Sequence, residues 1–224
     1  MHAITHTETW TGARGKRRRS FRQPRDHVPV RLRAGGSAAI RPLHSGEEAP
    51  LLAVFDQMSS TSRANRYLVG LPRLTRSMID ALVRVDGQDH VAWLGSVDDR
   101  PAGIARYVRV GPATAEVALE VADADHGRGL GTALLDAVTT LACLNGIRRI
   151  QAIVLPDNRP SQRLLTKIGV PLLPSGSALE GEGSLRLLDP PRVDRAAVVT
   201  LATRALDARD APDGSWTTAL DPPN

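Results

Sequence analysis

The chain has 224 residues, 42% of them hydrophobic and 24% charged, which allows one domain with a buried core and excludes collagen-like repeats, coiled coil and wholesale disorder. Its one cysteine, Cys143, cannot form an internal disulfide, and no Cys/His cluster has metal-ligand spacing; a stapled secreted scaffold and a metal site are excluded and a reducing, cytoplasmic setting is expected. The net charge of +5 belongs to the first 27 residues, where Arg14, Lys16, Arg17, Arg18, Arg19, Arg22 and Arg25 outweigh Glu8 and Asp26, leaving 22 basic against 22 acidic side chains in the rest.

That tail is expected to be disordered, and non-specific nucleic-acid contact through it is the lesser reading beside a simply solvated run. No apolar segment follows its charges as in a secretory signal, and no apolar run reaches the roughly 18 residues a membrane helix needs. From Val28 the chain is patterned. Val28 to Arg33 and Ala38 to Leu43 alternate around the turn Ala34-Gly35-Gly36-Ser37, which predicts an entry hairpin. Ser45 with Glu48 has capping-box spacing, and Leu51, Leu52, Phe55 and Met58 follow at helical intervals, predicting a helix over 46–58 that the cluster Ser59-Ser60-Thr61-Ser62 stops. A second helix is predicted over 76–85 with Thr75 as its N-cap. Three strands follow over 90–97, 102–110 and 115–122, joined by turns short enough to make them antiparallel neighbours.

A long helix is predicted over 129–144, with Asn145-Gly146 ending it, then a strand over 148–155 and a helix over 159–168 capped by Asn158 or Asp157. Short closing strands are expected at 170–173 and 185–188, a helix over 195–206, and disorder from 207 onward. The order of elements predicts an α/β chain with a mixed sheet, its domain spanning 28–190 and followed by a C-terminal helix and tail over 191–224.

The stretch from Val121 to Thr132 joins a strand to a helix and holds Gly127, Gly129 and Gly131. Glycines let backbone N–H groups converge, and a helix N-terminus adds the positive end of its dipole, so such a loop suits phosphate oxygens. A nucleotide P-loop would need Lys-Ser/Thr where Thr132-Ala133 stands. A dinucleotide fingerprint would need a third glycine and a parallel βαβ setting. A turn without a ligand is the remaining alternative.

His126-x-x-Gly129-x-Gly131 resembles the pyrophosphate loop of the GNAT N-acyltransferase superfamily, with His126 at a position that usually holds Gln or Arg. Asn158-Arg159-Pro160-Ser161-Gln162-Arg163-Leu164-Leu165-Thr166-Lys167-Ile168-Gly169 resembles the superfamily's second motif. The resemblance covers about 30–173, and within it Arg33 to Leu43, Ser59 to Arg66 and residues 105–109 look like the catalytic domain of bacterial protein-lysine acetyltransferases. It implies a GNAT-like fold: a central, mostly antiparallel sheet, splayed at the acyl-CoA site, with helices on both faces. It also implies acetyl-CoA as co-substrate. Val121 would pair its backbone with the pantetheine arm; His126, Gly127, Arg128, Gly129, Leu130, Gly131 and Thr132 would form the pyrophosphate loop, Arg128 adding charge; Asn158 and Ser161 would lie by the thioester end. Asn158 could equally serve only as a helix cap.

Acyl transfer to an amine needs the free base. With a lysine-like pKa near 10.4, about one amine in 2,500 is deprotonated at pH 7, a cost of about 4.6 kcal/mol, so a general base is useful. Strand alternation puts Glu116, Ala118, Glu120 and Ala122 on one face. The resemblance assigns the base to Glu116, with Glu120 in reserve; pairing of either with Arg106 or Arg109 across the strands is the bland alternative. Leu165 stands where many members have a tyrosine that protonates the thiolate. Cys143 is expected to be a small core residue, and His27, His44 and His90 to be turn or surface residues. The expected function is transfer of an acetyl group to a primary amine, a protein lysine before a small molecule, by a monomer or homodimer with no membrane partner; a silent acyl-CoA-binding module is the alternative.

Overall fold

The computed structural model describes residues 26–33 and 35–210; the disorder expected of the tail up to residue 25, and from 211 onward, lies outside them. Fifteen elements follow in chain order. Strands β1 (Val28–Val30) and β2 (Ala38–Pro42) form the entry hairpin, and helices α1 (Glu48–Asp56), α2 (Ser60–Tyr67) and α3 (Arg76–Val83) come next. Strands β3 (His90–Val97), β4 (Arg100–Gly111) and β5 (Thr114–Val121) lead through a short 3-10 turn, Asp123–Asp125, into α4 (Leu130–Leu144). Then come β6 (Arg149–Val154), α5 (Arg159–Lys167), β7 (Leu173–Ser175), β8 (Ala178–Ser184) and α6 (Arg195–Asp210).

The eight strands make one sheet in the order β1-β2-β3-β4-β5-β6-β8-β7. Every neighbouring pair is antiparallel except β5 and β6. Apolar residues of alternating strand positions fill both faces. On one, Trp93, Ala105, Tyr107 and Val117 pack with Leu130, Leu134 and Val138 of α4 and Val198 and Leu201 of α6. On the other, Ala92, Leu94 and Ile104 pack with Leu51, Val54 and Phe55 of α1 and Val83 of α3. Burying aliphatic side chains at about 25 cal/mol per Å² is the main force behind this three-layer arrangement.

Helix starts follow their caps. Thr75 Oγ1 accepts from the Met78 N–H at 3.3 Å and Asn158 Oδ1 from the Ser161 N–H at 3.2 Å, as predicted. Four expectations are corrected. The Ser45–Glu48 capping box does not form: Glu47 occupies the N-cap, and its carboxylate instead binds Arg41 and the His44 N–H. The serine cluster at 59–62 follows the end of α1, as expected, but it also starts a helix that was not expected, α2, with Ser59 Oγ accepting from the Ser62 N–H at 3.2 Å. The closing strands lie at 173–175 and 178–184 rather than at 170–173 and 185–188. Gly181 and Gly183 permit this shift, because the Pro171 and Gly169 carbonyls cross so closely that a Cβ would come within 2.0 and 1.8 Å of them. Residues 207–210 extend α6 instead of leaving it.

Candidate active site

Register between β5 and β6 is short. Thr114, Ala115 and Glu116 pair with Arg149, Ile150 and Gln151, and there the pairing ends although β5 runs on to Val121 and β6 to Val154. The separated strands flank a cavity of about 160 Å³, lined among others by Glu116, Leu119, Leu135, Val154, Asn158 and Leu165. Because its β6-facing side has no strand partner there, β5 presents backbone hydrogen-bonding groups to the cavity.

The glycine loop lies beyond the end of β5, its Gly131 next to the Leu119 that lines the cavity. Gly127 and Gly129 have φ of +74° and +103°, conformations that side chains strain to adopt. The first intrahelical backbone bond of α4 to involve the loop runs from the Ala133 N–H to the Gly129 carbonyl at 3.1 Å, and among the described residues no N–H from Gly127 to Thr132 donates to a backbone carbonyl. Gly131 also lets the first turn of α4 lie against β5, where a Cβ would sit 3.2 Å from Leu119. An array of free amides at a helix N-terminus suits an oxyanion or pyrophosphate.

Side chains around the loop have structural partners. His126 Nε2 lies 2.9 Å from the Val121 carbonyl, so that carbonyl is already held where the strand ends. Arg128 does not reach over the loop, as expected of a phosphate ligand, but folds back. Its guanidinium donates to Asp125 at 2.7 Å and to the Gly35 carbonyl at 3.1 Å, while its own carbonyl accepts from the Arg33 N–H at 2.9 Å. Asp125 is fully buried and also accepts from Arg100 at 2.8 Å. Against the upward push of burial, hydrogen bonds from Ser59 and Ser62 hold the Asp123 carboxyl below its usual range and tie α2 to this turn.

The two strand glutamates have different surroundings. Glu116 is exposed at the last paired position before the strands part. Glu120 is buried beneath α2: Oε2 accepts from the Tyr67 hydroxyl at 3.0 Å and faces Arg66 Nε at 3.4 Å, and Oε1 faces Arg106 at 3.4 Å. Its carboxylate is thus engaged on both oxygens. Burial, then the Glu120 charge, pushes the Tyr67 hydroxyl well above its ordinary range. Arg66 also lines the cavity, but its Nε lacks hydrogen-bond geometry. Arg66 and Tyr67 are the site residues that sequence reasoning missed as individuals; Ser59 as an N-cap was the signal for the helix that carries them.

Asn158 and Ser161 both line the cavity, and the Asn158 cap bond does not remove it from that wall. Leu165 reaches the same space, and Val170 is a fully buried core residue. Cys143 is half-buried, not the core residue expected, with Arg148 3.9 Å from its sulfur. His90 is half-buried against Arg106 at 3.4 Å rather than in an open turn; burial, then the Arg106 charge, pushes its pKa down to about 4. Among the described residues no cluster of three or more His, Cys, Asp or Glu side chains is arranged to hold a metal ion, and no helix is long and apolar enough to cross a membrane.

Residues 57–170, half of the chain and the part that builds this cleft, match the family model described as Acetyltransferase (GNAT) family. The chain belongs to the GNAT family. That family is one of acetyltransferases, and it uses acetyl-CoA as co-substrate. It is 32% identical over 147 residues to Acetyltransferase Pat of Mycolicibacterium smegmatis, covering 63% of this chain and 44% of that protein. It is 26% identical over 149 residues to Acetyltransferase PA5475 of Pseudomonas aeruginosa, covering 64% of this chain and 80% of that one. The fold superposes on the GNAT domain of S. lividans PAT with a TM-score of 0.66 and 29% identity, over 71% of this chain and 97% of that domain. This GNAT chain therefore spans less than half the length of the Pat protein it matches.

Proposed function

We propose that this GNAT protein moves an acetyl group from acetyl-CoA to the side-chain amine of a protein lysine, with Glu116 as general base. The observation that carries the reading is the position of Glu116: exposed, on the cavity wall, at the point where β5 and β6 separate. A carboxylate there can take the ammonium proton, directly or through water, as the amine approaches. Glu120 stands in reserve only formally, since both its oxygens already face Tyr67, Arg66 and Arg106.

The amides from Gly127 to Thr132 would hold the pyrophosphate, the open edge of β5 up to Val121 would pair with the pantetheine arm, and Asn158 and Ser161 would border the thioester. When bound, acetyl-CoA supplies the activated acetyl group. Similarity to Pat and to the PAT GNAT domain supports a protein acceptor over a small amine. A single observation favours the silent acyl-CoA-binding module: Leu165 gives the cavity no hydroxyl to protonate a departing thiolate. A thiol with pKa near 8.5 is nonetheless an adequate leaving group at neutral pH.

The test is thiol release from acetyl-CoA with a lysine-bearing protein pool, beside a polyamine pool. Release with the protein pool, reduced about 10²- to 10⁴-fold in kcat by Glu116→Gln with calorimetric acetyl-CoA affinity retained, is the expected result. Release with polyamines alone would overturn the acceptor assignment, and unchanged kcat in the variant would overturn the base.

A further inference from the structure

We propose that the uncovered sheet face beside Glu116 seats this chain's own segment Gly15-Lys16-Arg17-Arg18-Arg19, and that Lys16 is acetylated there. The proposal rests on the functional reading above and names one substrate of the same site.

The face follows from register. Glu116 pairs with Gln151 and Gln151 with Glu182, while Ile153 pairs with Glu180 and Glu180 with Leu173, so these side chains project to one side of the sheet. The other side of β8 is closed by the Gly169–Pro171 segment lying on Gly181 and Gly183. On the Glu116 side, Ile153 is 45% and Leu173 69% exposed, and Glu180 and Glu182 are exposed as well. Glu182 pairs with Arg149; Glu116 and Glu180 make no ion pair among the described residues. This surface offers two apolar side chains flanked by carboxylates, and it leads to the cavity mouth. A lysine followed by three arginines is its electrostatic complement.

The lysine supply narrows the occupant. Of 29 basic residues only Lys16 and Lys167 are lysines. Lys167 ends α5, whose Leu165 packs into the core on the opposite side of the sheet, so it is held away from this face. Lys16 precedes Val28 by about a dozen residues, which span up to roughly 40 Å when extended. The six strand spacings from β1 to β8 amount to about 29 Å, so the segment can reach its own site as well as a neighbour's. In the transfer, Glu116 takes the ammonium proton and the neutral Nζ of Lys16 bonds to the acetyl carbonyl carbon; as the carbon–sulfur bond breaks and the thiolate of CoA leaves, the nitrogen gives up its second proton, which passes through water to that thiolate.

The experiment incubates the full chain with acetyl-CoA, with and without an added lysine peptide pool, and maps acetylation by intact mass and peptide mass spectrometry. Expected is one acetyl group on Lys16, absent in Lys16→Arg and in Glu116→Gln, and slowed roughly tenfold by Glu180→Lys with Glu182→Lys while acetyl-CoA affinity by calorimetry is unchanged. Lys16→Arg should still acetylate the pool at the wild-type rate. Modification of Lys167 in preference, an unmodified Lys16 beside an acetylated pool, or a double variant at full rate would each overturn the seat. Acetyl-CoA binding with neither Lys16 nor the pool modified would instead overturn the protein-lysine reading itself.

Discussion

The Tyr67 hydroxyl donates to Glu120 at 3.0 Å across the seam between α2 and β5. That bond, together with Arg106 and Arg66 on the same carboxylate, fastens the helix that forms one wall of the cavity to the strand that carries Glu116. Arg106 is buried on all sides and also donates to the Leu82 carbonyl at 2.6 Å, so the network reaches α3 as well.

Replacing Glu120 with Ala removes the only acidic partner that the buried Arg106 guanidinium has among the described residues. The expected loss is about 3 to 5 kcal/mol in urea unfolding. Tyr67→Phe, which leaves both charges in place, is expected to cost about 1 to 3 kcal/mol. Equal losses in the two variants would show that the charges contribute nothing beyond the hydroxyl.

Asp125 gathers Arg100 and Arg128 under the glycine loop, and Arg128 in turn anchors the entry hairpin through Gly35 and Arg33. Asp125→Asn keeps the shape but weakens both charge-assisted bonds. KM for acetyl-CoA is expected to rise about tenfold in steady-state kinetics with kcat within about twofold, since the loop's amides are displaced while Glu116 is not. A fall in kcat at unchanged KM would contradict this role.

Asp136 is buried in the middle of α4 and accepts from the Arg192 and Val193 N–H groups at 2.5 and 3.2 Å and from the Arg195 guanidinium at 2.6 and 3.0 Å. It fixes the start of α6, which then places Val198 and Leu201 in the core. Asp136→Ala is expected to destabilise by about 3 kcal/mol or more. Hydrogen exchange should show α6 deprotected before β3 and β4.

His90 gives a pH dependence of known sign. Its folded pKa of about 4 lies below the unfolded value of about 6.5, so the unfolded chain binds the extra proton between these limits. Its contribution to stability is complete above about pH 6.5 and is lost as pH falls toward 4, on the order of 1 to 3 kcal/mol. Urea midpoints at pH 7 and 5 should differ by less in His90→Gln than in the parent chain.

Local signals made much of this protein legible from its residues. The β3 boundaries, the caps at Thr75 and Asn158, the long helix after the glycine loop and the two motifs that resemble the GNAT superfamily all depend on interactions within a few residues. The serines at 59–62 show where such reading runs out, because a cluster of small polar residues both stops one helix and caps the next. Period-2 alternation put Glu116 and Glu120 on one face, yet whether each lies open or buried depends on α2 crossing the strand beneath Tyr67, a contact 53 residues apart in sequence. The same holds for Arg128, whose sequence neighbours suggest phosphate and whose actual partners are Asp125 and Gly35, and for β8, which exists because the Gly169–Pro171 segment can lie on Gly181 and Gly183. By itself the sequence determined most of the elements, the fold family and the chemistry of the loop, because backbone preference and periodicity are short-range. Only the tertiary structure decided which carboxylate is free and which guanidinium is occupied, because burial and ion pairing are set by segments that meet in space.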